Sequence, residues 1–153
     1  MSRGPRIELD LRGRLGGYAP EMARRSRLTL GRVSRRLGLG PRHELSVILC
    51  DNPWIRRINR RWRGIDRPTD VLAFPLHELS PGRMPPHGAV GDLVVSLPRA
   101  RRDARELGEI ADARLARLLI HGLLHLLGHD HDTSRRAASM RRAEDDLLGR
   151  IGR

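Results

Sequence analysis

The longest apolar stretch of this 153-residue chain runs over residues 118–127, and two histidines, His121 and His125, interrupt it. The stretch is about half as long as a bilayer requires, so we expect no membrane-spanning segment. A helix this apolar has to be buried on most of its surface, which predicts that other elements cover it. Each histidine nitrogen inside it needs a polar partner, because an unpaired buried nitrogen is costly.

The composition predicts a single domain over residues 1–153. Hydrophobic residues make up 39% and charged residues 31% of the chain, which is typical of globular proteins, and this length can bury a core without disulfides. Aromatic residues are 3% of the total, so the core should consist mainly of Leu, Ile, Val and Ala. The single cysteine, Cys50, lies in the apolar run LSVILC and is expected to be a buried small side chain.

The beginning of the chain alternates charged and apolar side chains and contains no apolar segment typical of a signal peptide. With no predicted membrane span either, a cytoplasmic location is expected by elimination.

Hydrophobic periodicity and turn residues predict the element order βαβαββααα. The predicted strands are residues 7–11, 45–50, 70–74 and 92–97; the predicted helices are residues 18–36, a helix opened by Asp51-Asn52-Pro53, residues 98–107, residues 110–127 and a last helix from about 134 towards 148. Residues 79–91, rich in Pro and Gly, are predicted to form a surface loop. The fold class expected is α/β (α+β), a small mixed four-stranded sheet covered by about five helices.

The histidines of the fourth helix form a predicted metal site. His121 and His125 are four residues apart, so both imidazoles lie on one helix face and can reach the same ion. Gly128 can adopt the left-handed conformation that ends a helix, and the reversed chain then brings His131 towards the pair. Three imidazoles leave a fourth position for water, which is the arrangement of a catalytic zinc site. Zinc lowers the pKa of that water towards ~7.

Two further residues of this cluster stay open at this point. His129 could replace His131 as the third ligand, although the extra residues after the glycine favour His131 because they leave room for the chain to reverse. Asp130 could orient a ligand histidine, as carboxylates beside metal sites commonly do.

The charge balance favours a polyanionic partner. All thirty basic residues are arginine, against 18 acidic residues, which gives a formal net charge of +12. Such an excess attracts nucleic acid, although a basic surface can also bind nothing specific. Nine arginines on predicted helices are candidates to meet phosphates: Arg24, Arg25, Arg27, Arg56, Arg57, Arg60, Arg101, Arg102 and Arg105. Trp54 and Trp62 could stack on bases, but their helical spacing predicts core packing instead.

The histidine string H-x-x-x-H-x-x-G-x-x-H is similar to the zinc-binding pattern of the metzincin proteases in every position but one. Those enzymes have Glu directly after the first histidine, where it serves as the general base, and this chain has Gly122 there. A glycine cannot take a proton from water, so the protease interpretation is rejected.

A closer resemblance covers nearly the whole chain. The segment HGLLHLLGHDH, residues 121–131, resembles the signature of the YbeY family of bacterial endoribonucleases, and NRRWRGIDRPTDVLAFP, residues 59–75, resembles the other motif of that family. The strand start Gly91-Asp92-Leu93 also matches. The chain departs from the family pattern at Ala73, where serine is usual.

This resemblance implies a zinc-dependent endoribonuclease of the cytoplasm, specific for single-stranded RNA and active in rRNA maturation and ribosome quality control. Its implied partners are rRNA, the ribosome and ribosome-associated proteins, and its implied cofactor is one Zn²⁺ per chain, held by His121, His125 and His131. Arg63 falls on the family arginine implied in catalysis, and a guanidinium there suits the negative charge that develops during phosphodiester cleavage by a metal-activated water. Two alternatives remain: a ribosome-associated RNA-binding factor with a structural metal, and a zinc hydrolase of another substrate class.

Overall fold

The computed structural model describes residues 3–151, so the outermost residues of the predicted domain, 1–2 and 152–153, lie outside it. Within the described range the elements follow the predicted order. The strands are β1 (Arg6–Arg12), β2 (His43–Cys50), β3 (Val71–Pro75) and β4 (Gly88–Ser96), and the helices are α1 (Ala19–Arg36), α2 (Asn52–Arg63), α3 (Leu97–Leu107), α4 (Ala111–Leu126) and α5 (Ser134–Ile151). The predicted α/β class is confirmed.

The four strands form one mixed sheet in the order β1-β2-β4-β3. β2 pairs in parallel with β1 and with β4, whereas the edge strand β3 pairs antiparallel with β4. Because β2 has a neighbour on both sides, its apolar run is buried: Leu45, Val47 and Leu49 are almost completely inaccessible to solvent.

The two faces of the sheet carry separate hydrophobic clusters. Inward-facing residues such as Leu93 and Val95 belong to the larger cluster, which includes residues of α1, α4 and α5. The opposite face holds a smaller cluster of Cys50, Ile55, Leu72 and Val94, under α2. Burial raises the pKa of the Cys50 thiol to about 12, and the neighbouring Asp51 adds to that shift. The expected burial of Cys50 is therefore confirmed.

α4 is the central helix and packs against α1, α3, α5 and the strands β3 and β4. Gly122 marks its close approach to the sheet, because a Cβ added there would lie 2.7 Å from Leu93 Cδ2. A glutamate at this position, as in the metzincin proteases, would need space that the sheet occupies. Of the helices in the part of the chain that the structure describes, none combines the length and apolar character needed to cross a membrane.

One predicted boundary is wrong. The loop predicted over 79–91 ends earlier, because β4 begins at Gly88. The strand opens with small residues, Gly88, Ala89 and Gly91, which carry little of the periodicity that identifies a strand. At Gly91 the neighbouring strand comes so near that an added Cβ would lie 2.6 Å from the Phe74 carbonyl oxygen.

The prediction that both tryptophans pack in the core is wrong for Trp62. Trp54 is half-buried against the smaller cluster, but Trp62 remains 64% exposed. It lies in the last turn of α2 and meets the edge strand β3, where the Phe74 ring is 6.4 Å away in an edge-to-face arrangement. The alternative interpretation, base stacking, therefore stays open for this residue.

Candidate active site

The three predicted ligand histidines come together at the end of α4. His121 and His125 lie on one face of the helix, and the chain leaves the helix through Gly128, whose φ of 98° is left-handed as expected. The amide of Gly128 donates to the carbonyl of His125 at 3.1 Å, which closes the turn. His131 then returns towards the helix. One ligand atom from each of the three rings lies within 4.8 Å of the others.

The three imidazole rings lie close together. The ring centroids of His121 and His125 are 4.8 Å apart, and that of His131 is 5.8 Å from the first and 5.0 Å from the second. His121 and His125 are half-buried, whereas His131 is exposed. Burial, followed by the nearby charges of the other two histidines, lowers the pKa of His125. The neutral imidazole, which is the form that binds a metal, is thereby favoured.

Glu144 of α5 lies behind this cluster. His121 Nδ1 donates a hydrogen bond to Glu144 Oε1, and Glu144 is buried, with 7% of the residue exposed. Its other oxygen lies 3.3 Å from Arg117 Nη1. Because Nδ1 is the donor in this contact, Nε2 of His121 keeps its lone pair for a ligand, which is the usual role of a carboxylate behind a metal-binding histidine.

His129 and Asp130 take other roles. The amide of His129 donates to the Leu124 carbonyl at 3.0 Å, and its ring is not part of the three-histidine group. Asp130 Oδ1 accepts the backbone N–H of His131 at 2.7 Å. This carboxylate therefore fixes the backbone that carries His131, whereas the imidazole of His121 is oriented by Glu144.

Arg63 and the histidines line one cleft of about 370 Å³. The helix that carries Arg63, α2, is capped at its start by Asp51, whose Oδ1 accepts the amide of Trp54 at 3.0 Å. It is capped at its end by Gly64, which has a left-handed φ of 71°. The other residues that line the cleft are Asp70, Val71, Leu72, Ala73 and Gly122. The cleft thus lies between the start of β3 and the C-terminal half of α4.

Asp70 is the acidic residue among those that line the cleft. Its Oδ1 accepts the amide of Val71 at 2.7 Å and the hydroxyl of Thr69 at 3.4 Å. Both bonds use Oδ1, so they hold the carboxylate in place, and Oδ2 takes part in neither of them.

The donor set fits a divalent metal ion. Imidazole nitrogens are ordinary ligands of zinc and of similar transition metals, and the separations of the three donors allow one ion to be shared. The hydrogen bond from His121 to Glu144 adds the outer support that metal-binding histidines usually have.

Sequence analysis missed Glu144 and Asp70. Met140 and Leu147 are buried on the same side of α5 as Glu144, so an acidic residue on an apolar helix face was the available signal. For Asp70 the available signal was its place within the family motif at residues 59–75, although an aspartate before a short strand is also a common turn residue.

Comparison with known proteins places the chain in one family. The family model described as Endoribonuclease YbeY matches residues 19–152. A protein named Endoribonuclease YbeY from Myxococcus xanthus is 50% identical over 109 residues, which cover 71% of this chain and 37% of that protein. Another of that name, from Sinorhizobium medicae, is 46% identical over 109 residues, which cover 71% of this chain and 64% of that protein. The chain belongs to the YbeY family.

The match spans less than two thirds of the length of these two YbeY relatives. A protein from Thermotoga maritima with a known solution structure is 27% identical, with a TM-score of 0.60, and the similarity covers 95% of this chain and 91% of that protein. The YbeY resemblance expected from the motifs at 59–75 and 121–131 is therefore confirmed, and so is the fold.

Proposed function

We propose that this YbeY-family chain is a zinc-dependent endoribonuclease that cleaves single-stranded RNA. The observation that carries the proposal is the single cleft lined by three clustered imidazoles, the Arg63 guanidinium and the Asp70 carboxylate. The YbeY relatives support it, since they bear the name endoribonuclease. The exposed His131 and the open cleft favour a catalytic site over a structural one, which four protein ligands would close.

His121, His125 and His131 would hold the metal, and the ion would supply a Lewis acid that polarises a phosphoryl oxygen and lowers the pKa of water. Arg63 lies at the rim of the same cleft. Among the described residues 3–151, no carboxylate lies within 4.0 Å of its guanidinium, so its charge is available to substrate. We assign Arg63 to stabilise the negative charge that develops on the non-bridging oxygens.

Asp70 is the proposed general base. Its Oδ1 is held by Thr69 and Val71, and its Oδ2 would accept a proton from the attacking water. Gly122 lets α4 pack directly on the sheet at the base of the cleft, because an added Cβ would lie 2.7 Å from Leu93 Cδ2.

The proposal extends to the wider role implied by the family. It comprises rRNA maturation and ribosome quality control in the cytoplasm, with rRNA, the ribosome and ribosome-associated proteins as partners, one Zn²⁺ per chain, and one domain over residues 1–153.

The experiment combines elemental analysis with RNA cleavage. Purified protein should contain close to one zinc per chain and cleave a single-stranded RNA, and a chelator should stop cleavage until zinc is restored. The double variant His121→Ala, His125→Ala should lose both metal and activity, and so should His131→Ala. His129→Ala is the matched control from the same segment and should retain both. Circular dichroism checks folding, because losing a metal can also cost stability.

The outcomes separate the alternative functions. Zinc retention by the double histidine variant would contradict the assigned ligands. A protein that binds metal and RNA but does not cleave the RNA would instead be an RNA-binding factor with a structural metal. Chelator-sensitive hydrolysis of other substrates, without RNA cleavage, would favour a hydrolase of another class.

A further inference from the structure

A second cavity, of about 330 Å³, lies beside the histidine cleft and shares Arg63 with it. Three guanidiniums line it, those of Arg63, Arg67 and Arg99, together with the polar side chains of Asn59 and Thr69. No carboxylate is among the described residues that line it. The cavity is therefore strongly positive and is open to a ligand that also enters the cleft.

The guanidiniums of this cavity have N–H donors that other groups of the protein do not fully use. Within residues 3–151, Arg67 has no carboxylate partner within 4.0 Å. Arg99 places its Nε 3.4 Å from Asp103 Oδ1, so that carboxylate already meets one side of its guanidinium. The guanidinium of Arg67 is therefore the one whose donors an anion with acceptor oxygens would engage most fully.

The loop that forms the cavity wall is held by a buried amide. Asn59 is 1% exposed, and its Nδ2 donates to the main-chain carbonyl of Arg67 at 2.9 Å. The other polar atom of this amide, Oδ1, has no hydrogen-bond partner among the described groups. The backbone that carries Arg67 is thus positioned before any ligand arrives, which lowers the entropic cost of binding.

We propose that this cavity binds a backbone phosphate of the RNA, next to the phosphate that is cleaved in the histidine cleft. The inference rests on the proposed function and adds a substrate-binding site to it. Arg63 faces both cavities, so adjacent phosphates of one strand can occupy them together. Planar guanidiniums that offer paired N–H donors match phosphate oxygens better than they match an uncharged ligand.

The test measures equilibrium binding of a short labelled single-stranded RNA in a chelating buffer, so that cleavage does not interfere. Arg67→Gln removes the charge and keeps the main-chain carbonyl that Asn59 binds. Loss of one phosphate contact should reduce the slope of log K against log salt by about 0.7 and weaken binding about fivefold at ~0.1 M salt. Arg67→Lys should restore most of both. The matched control is Arg36→Gln, an exposed arginine in the last turn of α1, which should bind like the unsubstituted protein.

A second measurement counts phosphates directly. A dinucleotide with a 5′-phosphate should bind the unsubstituted protein more tightly than the same dinucleotide without it, and Arg67→Gln should remove that difference. Equal effects of Arg67→Gln and Arg36→Gln, or no effect of either, would overturn the phosphate site and leave the nuclease proposal standing if the RNA is cleaved. Failure of the unsubstituted protein to bind RNA would overturn both.

Discussion

Glu144 and Arg117 fix the orientation of the His121 ring and leave its Nε2 towards the cleft. The carboxylate accepts from His121 Nδ1 through one oxygen and lies beside Arg117 through the other. Arg117 also contacts Asp145, at 3.0 Å. The negative charge behind the ring holds its orientation and favours metal binding at the opposite nitrogen, so α5 contributes to the proposed metal site without carrying any of its histidines.

We expect Glu144→Gln to weaken zinc binding by about 10- to 100-fold while the fold is kept. The amide preserves the size of the side chain but removes the charge behind His121. Competition with a chromogenic chelator measures the affinity. The matched control is Asp145→Asn, which also loses a contact to Arg117 but does not touch His121, and it should bind zinc normally. Equal affinities in the two variants would contradict the role given to Glu144.

We expect Arg63→Ala to keep zinc and fold but to lose RNA cleavage by ~10²–10³-fold, because its charge acts chiefly in the transition state. Arg63→Lys should recover part of the rate, since it offers a point charge without the planar fork. Rates under single-turnover conditions measure the effect. Arg61→Ala, in the same helix turn, serves as the control and should cleave at nearly the normal rate. Cleavage at the normal rate by Arg63→Ala would show that the Arg63 side chain has no role in catalysis.

At the scale of elements, the turn after α4 brings His131 back to the helix. Gly128 has a left-handed φ of 98°, and an added Cβ would run into the main-chain carbonyl of Leu79 in the loop before β4. The turn and this loop therefore pack together at a point where only the smallest residue fits. The third histidine depends on that packing for its position.

We expect Gly128→Ala to destabilise the protein by about 2–4 kcal/mol, because backbone strain adds to a collision with main-chain atoms. It should also reduce zinc affinity, since His131 is displaced. Gly108→Ala is the matched control: its φ of 68° is also left-handed, but nothing lies within 4 Å of the added Cβ. That variant should lose only about 1 kcal/mol and keep its zinc affinity. Urea denaturation and zinc titration measure the two effects.

The element order was predictable because apolar periodicity and helix caps are local features. The histidine pair in α4 and the glycine turn were predictable for the same reason, and Arg63 through the family motif. Glu144 was not, because its contact with His121 spans 23 residues and exists only once α5 packs on α4. The strand order β1-β2-β4-β3 likewise depends on contacts distant in the sequence. The roles of the three histidines and of Arg63 stay predictions.

At the scale of the whole molecule, many arginines are engaged in ion pairs, hydrogen bonds or stacking within the fold, while the net charge of +12 remains. Arg24 and Arg25 pair with Glu21, and Arg56 pairs with Asp66. Three more of the nine arginines predicted to meet phosphates are engaged within the fold. Arg27 donates to main-chain carbonyls of β1, and Arg101 stacks on Tyr18. Arg102 pairs with Asp103 and Glu106. Arg57, Arg60 and Arg105 have no ion-pair partner among residues 3–151. Two of these three unpaired arginines, Arg57 and Arg60, lie on α2.

We expect RNA binding to be weakly sequence-specific and strongly dependent on salt. Three to six phosphate contacts to a single strand predict a slope of roughly −2 to −4 for log K against log salt. Since several arginines are already paired with carboxylates of the protein, the slope should lie near −2 rather than near −4. Salt titrations with unrelated single-stranded RNAs, using Arg63→Ala or metal-free protein, measure it. A flat salt dependence, or strong preference for one sequence of equal length, would show that the positive surface is not where RNA binds.

Cys50, the single cysteine of the chain, is completely buried under α2 and has a pKa of about 12. A thiol reagent can therefore modify only those molecules in which α2 no longer covers this face of the sheet. The rate of labelling then measures how often that opening occurs. Asp51→Ala removes the helix cap and, after correction for the reactivity of the same variant's thiol in denaturant, should accelerate labelling by about 5- to 30-fold. Thr133→Ala removes the corresponding bond at α5, where Thr133 Oγ1 accepts the amide of Arg136. If α2 lifts away on its own, only the first variant labels faster; if the molecule opens as one unit, both do.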